Sequence, residues 1–210
     1  MKRLLILLSL LITLQTYGQI NKKRPIIWVI PSLDTRINGV AVGFMINSLK
    51  ETDSVLTTEI NGLNIEIIGV GLLLLLAPSD PIYHKSDSAY FDNSYVDTII
   101  NSYNSAKYKV NGISISLAGT VGHDININGI NLSGLNTLTG KTNGLSTSIL
   151  INMNGVVNGV SVAVLLNKTI QTKGLQIGLF NQTKRLRGFQ IGLWNKNEKR
   201  SLPFINWNFN

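Results

Sequence analysis

The chain contains no cysteine and only two histidines. That excludes disulfides, thiol chemistry, thiolate metal sites and a lipid anchor on an N-terminal cysteine. Acidic residues are scarce: 11 Asp and Glu stand against 19 Lys and Arg, a formal charge of +8. No His/Asp/Glu cluster has metal-ligand spacing, and the glycine–aspartate calcium repeat of exported β-rolls is missing. The sequence therefore implies no metal and no cofactor. No apolar run reaches the roughly 20 residues of a spanning helix. Residues 4–14 and 68–77 are both shorter, and Pro78 ends the second, which contains Leu72 to Leu76. That run reads as a buried strand or an end cap.

Nothing in the pattern places a catalytic group. His123 and Asp124 lie between repeats, with no nucleophile set beside them. Glu59 and Glu66 flank one strand, and an exposed edge explains that pair as well as acid–base chemistry does. The expected chain is not an enzyme.

What is present begins with an export signal. Lys2 and Arg3 precede the apolar residues 4–14, and Thr16-Tyr17-Gly18 offers small residues where a signal peptidase reads. The expectation is a signal peptide over residues 1–18, cleaved after Gly18, then a single β-repeat domain over 19–210. An uncleaved N-terminal anchor is the alternative.

A motif then recurs along the chain: Asn-Gly, an alternating apolar run, and Asn. Its glycines are Gly39, Gly62, Gly112, Gly129, Gly144, Gly159, Gly174 and Gly188, and the last five steps are 17, 15, 15, 15 and 14 residues. A near-constant period marks a repeat architecture. With each glycine as position zero, +1, +3 and +5 are apolar, as in Leu175, Ile177 and Leu179. Positions +2 and +4 are small or polar, as in Ser114/Ser116 and Gln190/Gly192. Period two means β-strand with one buried face, and the expected buried face is +1/+3/+5. Position +6 is apolar too (Leu150, Leu165, Phe180, Trp194), so either a bend or bulge after +5 turns it inward or the second face is covered along that row as well. Asn before the glycine, and again at +7 or +8, fits tight corners.

The fold class expected is mainly β: about eight strand–turn units of 14–23 residues, in a parallel β-solenoid whose Asn corners stack as ladders. The alternative is an antiparallel meander or β-barrel, favoured by reading Asn111-Gly112 and Asn128-Gly129 as hairpin turns. Residues 78–109 form a non-repeat insert. Val96, Ile99, Ile100 and Tyr103 have helical spacing there, and Ser94 with Asp97 makes a capping box, so one short amphipathic helix is expected at about 94–106.

Two regions are binding candidates. The insert holds Tyr83, Tyr90, Tyr95 and Tyr103, and tyrosine suits recognition surfaces; a loop packed on its own domain is the plainer alternative. The C-terminal stretch carries Lys184, Arg185 and Arg187 among eight cations after residue 167, against Glu198 alone. In an exported chain such a balance points to anionic envelope lipid, lipopolysaccharide or another envelope protein rather than nucleic acid. A solvated edge accounts for it equally.

The run from Lys173 to Asn181 (KGLQIGLFN), that from Leu186 to Asn195 (LRGFQIGLWN), and the closing residues 198–207 resemble a family of exported surface-repeat proteins of Gram-negative bacteria. The resemblance implies an outer-membrane, cell-surface or periplasmic location and brings no functional residues with it. The functional expectation is an exported cell-envelope structural or binding module without catalytic activity. An outer-membrane β-barrel is the alternative.

Overall fold

The computed structural model describes residues 22–30, 32, 34–44, 57–69, 71 and 93–209. The expected signal peptide, Leu72 to Leu76, His84, Tyr83 and Tyr90 lie outside them, as do the side chains of Ser94 and Tyr95, and so the capping box.

Among the described residues ten strands form one sheet in strict chain order: β1 (Lys22–Ile30), β2 (Thr35–Gly43), β3 (Thr58–Glu66), β4 (Tyr108–Ser116), β5 (Val121–Ser133), β6 (Asn136–Ser148), β7 (Ile151–Ala163), β8 (Leu166–Ile177), β9 (Phe180–Lys196) and β10 (Ser201–Asn208). Pairing from β1 to β9 is parallel, and β10 returns antiparallel along β9. The motif glycines pair in register, Gly39 with Gly62, Gly112, Gly129 and onward to Gly188. This is the parallel β-solenoid expected from in-phase repetition. The meander and the barrel fall with it, because membrane barrels are antiparallel and Asn-Gly sits inside parallel strands instead of at hairpin tips. Tyr108, expected in the insert, already belongs to β4.

The glycine row has a steric cause. Each motif glycine has φ between +131° and +146°, a region that is essentially glycine-only. The coils also stack closely there. A Cβ on Gly62 would lie 2.1 Å from the Gly39 carbonyl oxygen, and one on Gly188 would lie 1.9 Å from that of Gly174.

The row that fills the coils is −2, which the period-two reading passed over. Ile37, Ile60, Val110, Ile127, Thr142, Val157, Thr172 and Leu186 are all buried. At the N-terminal end this row joins Ile30, Ala41, Tyr108 and Ile125 in an apolar core, with Trp28 packed against it. Burial raises the Tyr108 phenol above its ordinary pKa, and the Asp124 charge pushes the same way.

Helix α1 (Asn93–Ser102), followed by a 3-10 turn at Tyr103–Ser105, matches the expected element. Val96 and Tyr103 are buried against Leu138, Val156 and Ile170 of β6–β8, with Ile99 and Ile100 at the margin. The Tyr103 ring lies over two glycines: a Cβ on Gly155 would come within 2.1 Å of it, and one on Gly140 within 2.8 Å. The repeat yields glycine on that leg where the helix needs a flat seat.

The C-terminal end is closed. The β9–β10 turn folds so that the Glu198 carboxylate accepts from the Leu186 backbone N–H at 3.0 Å and from the Asn208 side-chain amide. The Arg200 guanidinium donates to the Trp207 carbonyl at 2.7 Å and stacks 4.3 Å from the centre of that ring. Reversing the last strand leaves no parallel edge for another coil to extend, as a capping repeat must.

Candidate docking face

The polarity of the repeat is the reverse of the expected one. Row +2 points into the coils: Ala41, Asn64, Ser114, Asn131, Ser146, Ser161, Gln176 and Gln190 are all fully buried. Row +4 follows it, with Glu66, Ser116, Ser133, Ser148 and Ala163 buried. Row +1/+3/+5 points outward. Ile113, Ile130, Ile177, Phe189, Ile191 and Leu193 are between 37% and 53% exposed, and Leu117 reaches 68%. The expected bend after +5 is present, but it leaves Leu165, Phe180 and Trp194 over two-fifths exposed instead of turning them in.

Room and hydrogen bonding together explain this inversion. A coil of about 15 residues encloses little volume, and its interior takes short or flat side chains. Ser, Asn, Gln, Ala and Gly fit; a row of Ile and Leu would overfill it. The polar groups then bond along the stack. Asn167 Nδ2 donates to Asn181 Oδ1, and Asn181 Nδ2 to Asn195 Oδ1, each at 2.8 Å. Gln190 Nε2 donates to Gln176 Oε1 at 2.8 Å, and Ser161 Oγ to Asn167 Oδ1 at 2.8 Å. Buried polar atoms bonded in this way carry little of the desolvation penalty that unpaired ones would.

Outside, the Asn at −1 forms a second ladder beside the glycine row. Asn61 donates to Asn38, Asn111 to Asn61, Asn128 to Asn111, Asn143 to Asn128 and Asn158 to Asn143, at 2.6 to 2.9 Å. At Gly174 and Gly188 the same position holds Lys173 and Arg187, both exposed. The ladder thus ends where cations begin.

The result is a sheet face without a charge. Across the eight coils only Gly134 and Thr147 depart from aliphatic or aromatic residues at +1, +3 and +5. Ile27 of β1 and Ile205 and Trp207 of β10 continue the face at its two ends. Ten strands at about 4.8 Å spacing and five residues of width, at about 3.3 Å each, make an area of about 800 Å². That is larger than the biggest apolar patch on ordinary monomers. At its C-terminal end the Phe209 ring packs edge-on against Phe189, with centroids 5.0 Å apart, whereas the second apolar surface, around Leu138 and Ile170, is covered by α1.

The candidate binding residues from the sequence do not converge. Tyr103 is buried beneath α1 and presents no recognition surface. Arg185 is paired with Asp97 of α1, and that hydrogen bond holds the Asp97 carboxyl below its ordinary pKa. Lys184 is half-buried on β9, and Arg187 borders the apolar face. Glu66 is a further correction. It is no edge residue but a buried carboxylate, accepting from Asn64 Nδ2 at 3.2 Å and Thr120 Oγ1 at 2.8 Å. Glu59 is only partly buried and pairs with the exposed Arg36 at 2.6 Å. Among the described residues no three His, Asp or Glu side chains could hold a metal, and no helix is long and apolar enough to cross a membrane. The chain was compared with protein-family models, curated proteins and solved structures, and nothing in any of the three matches it.

Proposed function

We propose that this protein is a non-catalytic docking module of the cell envelope, exported by its N-terminal signal, whose working surface is the outward +1/+3/+5 face. The observation that carries the reading is the polarity of the coil: its hydrogen-bonding side chains are used inside, and its aliphatic rows are turned out. A chain under selection for solubility alone gains nothing from an uncharged face of that size. A rigid parallel stack with a closed C-terminal end suits a scaffold that presents one flat surface. The basic composition and the resemblance to exported surface-repeat proteins support an envelope location.

Two experiments test it. The folded protein is expected to bind an apolar dye such as anilinonaphthalene sulfonate, and to lose most of that signal on Ile177→Ser with Ile191→Ser while its circular dichroism is kept. Native cell fractionation is expected to recover the chain with the envelope. Recovery in the cytosol, or a dye signal indifferent to those substitutions, contradicts the reading.

A further inference from the structure

We propose that the partner of the apolar face is the surface of an anionic lipid bilayer, on which the solenoid lies with this face buried among the headgroups. The inference rests on the docking reading above and names its partner. Two observations select lipid over a second copy of the chain. The first is charge. Lys173 and Arg187 border the face at its C-terminal end, and Arg200 sits against the Trp207 ring at its edge. β1, at the other end, carries the exposed Lys23. Two copies packed face to face with a two-fold axis would set one basic end against the other, and acidic headgroups would instead complement both. The second is the aromatic content. Phe189, Trp194, Phe204, Trp207 and Phe209 are all about half exposed or more at the basic end. Tryptophan with an apolar body and one N–H donor settles at the headgroup level of a bilayer, and cations beside it add attraction to acidic lipid.

The test floats the purified full chain with vesicles of phosphatidylcholine containing phosphatidylglycerol, and with vesicles of phosphatidylcholine alone. Sedimentation of the lipid-free protein runs in parallel. Binding to the acidic vesicles is expected to exceed binding to the neutral ones by about tenfold or more and to fall as salt rises. Ile177→Asp with Ile191→Asp is expected to abolish flotation on both. Lys173→Glu with Arg187→Glu, which leaves every inward row intact, is expected to remove the preference for acidic lipid; it keeps the test open should the first variant not fold. Equal flotation on both vesicles overturns the proposal. Absent flotation with a sedimenting dimer overturns it in favour of a second copy and leaves the docking reading standing. Absent flotation from a monomer overturns both.

Discussion

At the scale of single residues, stacking decides identity. The motif glycine is needed twice over, for its positive φ and because the neighbouring coil's backbone leaves no room for a Cβ. Gly159 has φ +139°, and a Cβ there would lie 2.1 Å from the Gly144 carbonyl oxygen. Gly159→Ala is therefore expected to destabilise by about 2 kcal/mol or more, read as a lowered Tm; an unchanged Tm contradicts the stacked geometry. The inner asparagines are needed as ladders. Asn181 accepts from Asn167 and donates to Asn195, so Asn181→Ala leaves two buried amide groups each short of a partner. A loss of about 2 kcal/mol follows, against about 1 kcal/mol for Asn143→Ala on the exposed ladder, where water replaces the missing bonds. Chemical denaturation of the two variants side by side measures the difference.

At the scale of elements, the helix was legible and its seat was not. Val96, Ile99, Ile100 and Tyr103 announce an amphipathic segment, and α1 forms where the spacing puts it. For Tyr103 the plainer reading holds, since it packs on its own domain, but the sequence could not say against what. Its seat is made by Gly140 and Gly155, which lie about 40 and 50 residues away and off the motif, so no local pattern joins them to it. Tyr103→Ala is expected to cost about 3 kcal/mol and to release α1 from the solenoid, seen as faster amide exchange in the helix. Asp97 and Arg185 tie the same helix to β9. Because the native Asp97 pKa is depressed, this tie contributes above the ordinary carboxylate range and is lost as pH falls through the lowered value. Helix protection should weaken on acidification below that range, and Asp97→Asn should abolish the acid-dependent part; a helix equally protected at all pH values contradicts the assignment.

At the scale of the molecule, the period, the parallel order and the Asn ladders were all readable from the repeat, and the side on which its core lies was not. Alternation states that two faces differ. It does not state which faces in, and the habit of placing aliphatic rows inside fails when a coil is too narrow to hold them. The signals for the true orientation were the small volumes of row +2/+4 (Ala41/Gly43, Ser146/Ser148, Gln176/Gly178) and the apolar or threonine row at −2, which closes the interior from the opposite leg. The same inversion makes the aliphatic rows available for docking, so fold and proposed function stand on one geometric fact. It is tested most directly by the Tm of two substitutions, one on each row of the C-terminal coils. Gln190 is fully buried and Ile177 is 37% exposed. Gln190→Lys should place an unpaired charge inside the stack and lower the Tm by several degrees or prevent folding, while Ile177→Asp should change the lipid-free monomer by about 1 kcal/mol at most. A tolerated Gln190→Lys beside a collapsed Ile177→Asp would contradict the account.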